Sequence, residues 1–389
     1  MKKNLARGFS ATIFSIATAV LCLNDSTRAQ PAPRSTAPIT SPFTPLIAPL
    51  IAPPLKVAFV YVSPIGNAGW SYQHDLGRIA MQQALGDKVK TTVVESVSEG
   101  ADSERVMRDL AQQGHQLIFA TSFGYLEPAL RVAAEFPDVK FEHAGGFKTS
   151  ANLNIYNARY YEARYLAGML AGQTSRSGTA GYVAGFAVPE VVQGINAFTL
   201  GMRAVNPKAQ VKVLWLNTWF DPAREREAAQ TLINQGADTL TNHSGSTAVA
   251  QTAEDNFKTK GTRVVSYQSD MRSVAPNAQL TAIVHRWGGY YTAVAQAVLN
   301  DTWKAQTVWG SMAQGFVALA PLASNVPGDV ATQLKAKQRA IEAGSLQPFS
   351  GLLLDNEGKV RWKSGAMPDA EIAEMNWFVQ GVVGSLPRP

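Results

Sequence analysis

Two stretches of this chain align without a gap. "VKTTVVESVSEGADSERVMRDLAQQGHQLIFATS", residues 89–122, matches "VKVLWLNTWFDPAREREAAQTLINQGADTLTNHS", residues 211–244. Val89 meets Val211, Leu110 meets Leu232, Gln113-Gly114 meets Gln235-Gly236, and Ser122 meets Ser244. Each stretch reads as a β-rich run, a loop, a helix, a glycine stop and a second run. Any two such units look alike, but the shared "VK" starts and shared glycine stops favour a duplication. Strands alternating with helices build a parallel sheet covered on both faces. The expected fold class is therefore α/β, with two doubly wound parallel-sheet lobes joined by a hinge.

The N-terminus has a different character. Lys2, Lys3 and Arg7 precede an apolar run from about Ile13 to Leu23, and Thr27 and Ala29 are small residues at −3 and −1 of a cleavage site. Residues 1–29 read as a secretory signal peptide, too short and wrongly flanked to span a membrane. The single cysteine, Cys22, follows Leu21, where lipoprotein processing favours a small residue. A soluble, periplasmic protein is expected ahead of one lipid-anchored at Cys22. Residues 30–54 form a Pro-rich tether that resists helix and sheet. Losing the leader lowers the formal charge from +6 to +3. That is too mild for a nucleic-acid footprint, and the mature chain has no thiol chemistry. The rest divides into a first lobe, 55–157 and 286–320, and a second, 158–285 and 321–389.

After the apolar run "KVAFVYV" comes "PIGNAGWSYQHDLGR", residues 64–78. Leu76, Ile79, Ala80 and Ala84 recur at helical spacing, with Ser71 as a candidate N-cap and Asp75 in the first turn. Trp70 thus falls where a strand gives way to a helix, in a loop that ought to be wet. In parallel sheets, ligands bind outside the carboxyl ends of the strands. Two such lobes facing each other would bury a small molecule between them. Trp219, in "LNTWFDP", occupies the same kind of place in the second lobe. One aromatic from each jaw could sandwich a flat ring, adding about 0.5–1.5 kcal/mol beyond area burial. Core packing is the competing reading for both rings, and Phe220 competes for the place of Trp219.

Ser122, Phe123, Tyr125 and Glu127 lie on the first lobe's carboxyl edge, His243 ends a second-lobe strand, and Asp270 ends the next. Their polar atoms suit a heterocycle edge, although Glu127 equally fits a solvated first-turn acid. There is no P-loop, His-Glu-x-x-His, Gly-x-Ser-x-Gly or Cys/His metal spacing. Neither an enzyme, a cofactor nor a metal site is expected.

From Lys56 to about Gly358 the chain resembles the basic membrane protein (BMP) family, substrate-binding proteins of ABC importers. The resemblance rests on "GWSYQHDLGR", "TSFGYLEPALRVAAEFPDVKFEHAGG", "YYEARYLAGMLAG", "PEVVQGINAFTLGMRAVNP" and "WFDPAREREAAQTLINQGAD", in order. It implies a periplasmic-binding-protein fold of type I, a purine ligand stacked at Trp70 beside Ser71, and permease and ATPase subunits as partners. A monomer that binds no nucleic acid is expected. In nucleoside-binding relatives an acid and a lysine hold the ribose hydroxyls; here those places read Gln268 and His285. The expected ligand is therefore a free base, adenine above the others. A purine nucleoside-binding protein of the same family, a ligand-sensing module coupled to a receptor, and an exported hydrolase or transferase are the alternatives.

Overall fold

The computed structural model describes residues 53–387. The leader, Cys22 and the tether as far as Ala52 lie outside the described residues. The first elements are β1 (Leu55–Val60), α1 (Trp70–Leu85), β2 (Val89–Val94), α2 (Ala101–Gln112), β3 (Leu117–Ala120), α3 (Leu126–Glu135), β4 (Lys140–Ala144) and β5 (Leu153–Ala158). Next come α4 (Tyr160–Thr174), β6 (Thr179–Ala184), α5 (Pro189–Val205), β7 (Gln210–Trp215), α6 (Pro222–Asn234), β8 (Thr239–His243), α7 (Ala248–Lys260), β9 (Arg263–Gln268) and β10 (Gln279–His285). The chain ends with α8 (Gly288–Leu299), β11 (Thr307–Gly310), β12 (Val317–Leu319), α9 (Gly328–Glu342), β13 (Leu353–Leu354), β14 (Val360–Trp362), α10 (Asp369–Ala373) and β15 (Val382–Val383).

Two sheets hold the molecule together. One runs β11-β5-β4-β3-β1-β2, the other β12-β10-β9-β8-β6-β7-β15. The five strands β2-β1-β3-β4-β5 of the first match β7-β6-β8-β9-β10 of the second in order and in parallel direction. The aligned stretches of sequence therefore occupy equivalent places, β2-α2-β3 against β7-α6-β8. Strands β1 and β3 bury nearly every residue, as a parallel sheet covered on both faces requires. The chain passes between sheets at 158–160, 285–288 and 310–317. Segment 317–319, expected in the first lobe, pairs antiparallel with β10 and belongs to the second sheet. Once past its last crossover the chain is free to add an edge strand, and an antiparallel edge needs no helical return.

Helix ends follow local chemistry. Asp221 caps α6 by accepting from the Arg224 amide, with Pro222 at the first helical position, and Pro189 opens α5 in the same way. Helix α1 departs from expectation. It begins at Trp70 after an N-cap at Gly69 that has no side-chain cap bond, so Ser71 lies inside the first turn. There its Oγ is 2.7 Å from Ser63 Oγ.

The closest helix pair is α4 and α5. A Cβ on Gly168 would lie 1.9 Å from the Phe198 carbonyl oxygen, and one on Gly201 would lie 1.9 Å from that of Tyr165. Only glycine lets these backbones meet. In the first lobe the carboxylate of buried Glu142 accepts from Tyr290 (2.6 Å), Trp303 (2.8 Å) and Asn154 (2.9 Å), tying β4 to β5 and to the α8 region. Replacing Gly168 or Gly201 by alanine should force α4 and α5 apart and lower stability by at least about 1–3 kcal/mol, the usual cost of overpacking. Denaturant melts of each variant against the parent measure this, and an unchanged midpoint would show that the helices can separate freely.

Candidate functional site

In both sheets the parallel strands end on the edge that faces the other lobe, and the loops leaving those ends enclose one cleft. Its volume is about 540 Å³ including its open mouth, within the range of small-molecule sites. Val62, Ser63 and Trp70 come from the end of β1, Ser122 and Phe123 from β3, and Ala144 and Gly145 from β4. The second lobe supplies Val188 and Glu190 after β6, Trp219 and Phe220 after β7, His243, Ser244 and Gly245 at β8, and Gln268 at β9.

The two tryptophans lie on opposite walls, each tethered. Trp70 Nε1 donates to the Thr121 carbonyl (2.6 Å). Trp219 Nε1 donates across the gap to Glu99 Oε1 (3.2 Å), which also accepts from Ser122 Oγ (2.6 Å) and the Gly124 amide (2.8 Å). Lobe meets lobe again at Gly69, whose amide donates to Ser269 Oγ (2.9 Å) while Ser269 Oγ donates back to the Gly69 carbonyl. Gly69 has φ of 101° and a Cβ there would lie 2.1 Å from the Gly245 oxygen. Glycine is needed for both reasons: the left-handed backbone and the contact with the opposite lobe.

Gln268 stands out among the cleft's polar groups. It is 3% exposed, has a φ of 70° although it is not glycine, and its Oε1 has no hydrogen-bond partner among the described residues. Strained backbone and an unpaired buried amide both cost free energy and both concentrate at binding sites. Among the described residues, the one carboxylate in the lining is Glu190, which accepts from Asn157 Nδ2 (2.7 Å) and lies 3.2 Å from His243 Nε2. Among the described residues, no lysine or arginine lines the cleft.

Of the residues singled out from sequence, Trp70, Ser122, Phe123, Trp219, His243 and Gln268 line the cleft. Ser71, Tyr125, Glu127, Asp270 and His285 do not. Ser71 lies behind Ser63. Tyr125 is buried in the first lobe, its hydroxyl donating to the Val97 carbonyl (2.5 Å). Glu127 faces solvent and pairs with Lys148 (2.6 Å). Asp270 pairs with Arg272 and accepts from Gln279 (2.7 Å). His285 sits beneath the cleft floor, edge-on to Trp70 at 5.7 Å and packed on Tyr160 and Tyr267. Sequence reasoning passed over Glu190. The duplication could have found it, because the β6–α5 loop is the counterpart of the β1–α1 loop that carries Trp70.

The architecture, two parallel-sheet lobes with a cleft between their strand ends, is shared with solved structures. A solved solute-binding protein of an ABC transporter system from Aeropyrum pernix shares the fold with a TM-score of 0.65 at 16% identity, over 76% of this chain and 93% of that one. Residues 55–347 match the family described as ABC transporter substrate-binding protein PnrA-like, and the chain belongs to that family. A purine-binding protein from Brucella abortus is 48% identical over 335 residues, covering 86% of this chain and 94% of its own. A candidate ABC transporter glucose-binding protein from Haloferax volcanii is 37% identical, with 86% of this chain and 81% of that one covered. Members of the family bind substrates for transport and are not enzymes. No cluster of three potential metal ligands occurs among the described residues.

At the cleft and behind it, burial keeps His74, His143, His243 and His285 neutral. It lowers His74 to about 3 and His143 to about 4. It also lowers His243, and lowers His285 further with help from the positive charge that His74, His243 and Arg164 would place beside it. In the unfolded chain these groups titrate near 6.5. Below that pH the unfolded state takes up protons the fold refuses, so stability present above 6.5 is lost as pH falls. Glu142, raised to about 7 by burial, works in the opposite sense, so the test is differential. From pH 7 to 5, His285→Leu should lose less stability than the parent, by at most about 1.4 kcal/mol per pH step. Parallel curves for the two proteins would show that His285 is free to protonate in the fold.

Proposed function

We propose that this chain is an exported, periplasmic receptor that captures a free purine base, adenine in particular, and hands it to an ABC importer. The observation that carries this reading is Gln268 Oε1, buried and without a hydrogen-bond partner among the described residues, in a cleft lined by Trp70 and Trp219. A primary amide meets adenine with two bonds, its oxygen accepting from the 6-amino group and its nitrogen donating to N7. Guanine and hypoxanthine present acceptors at both positions, so the amide oxygen would face a carbonyl. The purine-binding relative supports the ligand class, and the absence of cationic groups in the lining argues against phosphorylated ligands. In this reading Trp70, the first residue of α1, and Trp219 take the two faces of the ring.

Calorimetry should compare adenine, guanine, hypoxanthine, adenosine, guanosine and glucose in one buffer. Adenine is expected to bind most tightly. A nucleoside that binds more tightly than its own base, or glucose that binds more tightly than adenine, would overturn the reading. Trp70→Ala and Trp219→Ala should each weaken adenine binding by about 1–3 kcal/mol, the usual cost of losing one stacking partner.

Closure adds a second test. The Gly69–Gly245 contact exists only when the lobes meet, so Gly69→Val should block it. With saturating adenine the parent is expected to contract in small-angle scattering and the variant to stay extended. Equal contraction of both would show that closure does not pass through Gly69.

A further inference from the structure

Glu190 has no assigned role, and its surroundings define one. It stands in the first turn of α5, where the helix N-terminus favours a negative charge, and its side chain is 18% exposed. One oxygen accepts from Asn157 of the first lobe and the other faces His243 Nε2 of the second. A carboxylate has about four acceptor positions, and the protein occupies two. With Nε2 donating to Glu190, His243 leaves Nδ1 as a bare acceptor, buried and without a partner among the described residues. Among the described residues, this end of the cleft therefore offers acceptors and no cation lines it.

We propose that Glu190, held by Asn157 and His243, forms a subsite for the imidazole N9–H of a free purine base, and that this subsite is what separates bases from nucleosides. It rests on the reading of the ligand as a purine base. A free base has a hydrogen on N9, which a carboxylate accepts in a charge-assisted bond. A nucleoside has a carbon at that atom, so it would bury the Glu190 charge without a donor and push the sugar against it. The discrimination is then built into one atom of the ligand and one carboxylate of the protein.

The test compares adenine with 9-methyladenine on the parent and on Glu190→Gln, by calorimetry, with melting curves to check folding. The parent should bind adenine at least about 10-fold more tightly than 9-methyladenine, the usual worth of a hydrogen bond to a charged group. Glu190→Gln should lose about 10-fold or more for adenine and less than about 3-fold for 9-methyladenine. The methyl group's bulk is present in both proteins and cancels from the comparison. Equal losses for the two ligands, or adenine binding that survives the substitution, would overturn the subsite while leaving the purine reading intact. If the parent binds no purine base, the ligand reading fails and takes the subsite with it. Should the variant not fold, the parent alone decides: 9-methyladenine binding as tightly as adenine would refute the proposal.

Discussion

Parallel strand pairing is the constraint on which the rest of this molecule depends. When neighbouring strands run the same way, each needs a helical return, and all the loops leaving carboxyl ends gather on one edge. Here that happens twice, with the same strand order in both sheets. The two edges face each other, so loops from β1, β3 and β4 meet loops from β6, β7, β8 and β9 across one gap. The cleft is a consequence of topology before any particular side chain is considered. The close approach of α4 and α5 at Gly168 and Gly201 fastens the second lobe beside the first crossover.

Within that frame the lining is arranged by what is left unsatisfied. Most polar atoms at the site already have partners: Ser122 and Trp219 share Glu99, and Ser244 and Ser246 share the buried carboxylate of Glu225. Gln268 Oε1 and His243 Nδ1 do not. Burying such atoms unpaired costs free energy that a ligand can recover. His243 in the lining and His74 and His285 beneath it are held neutral, chiefly by burial, and so put no positive charge at the cleft.

Cross-lobe contacts connect binding to motion. Gly69 with Ser269 and Gly245, Glu99 with Trp219, and Asn157 with Glu190 each join residues from opposite lobes. Each of the three includes a residue that lines the cleft, Gly245, Trp219 or Glu190, so the cleft lining and the lobe contact share residues. A ligand shifts such an equilibrium only by its preference for the closed form.

Much of this was legible in the sequence. Residues 89–122 and 211–244 announce a repeated strand-helix-strand unit, because side-chain period and glycine stops are local properties. Trp70 and Trp219 were visible as aromatics at strand-to-helix turns, where a parallel sheet leaves its open edge. What local pattern could not decide is which residue near each strand end faces the gap. Tyr125 turns into the first lobe's core, Asp270 is taken by Arg272 two residues on, and His285 is covered by Trp70, whereas Glu190 and Gln268 face the cleft. Those outcomes depend on contacts such as Gly69 with Ser269, two hundred residues apart in the chain. The sequence by itself determined the elements, their alternation and their duplication, because these follow from nearest neighbours along the backbone. Only the tertiary structure decided the chemistry of the cleft, because that depends on which polar atoms find partners when distant segments pack together.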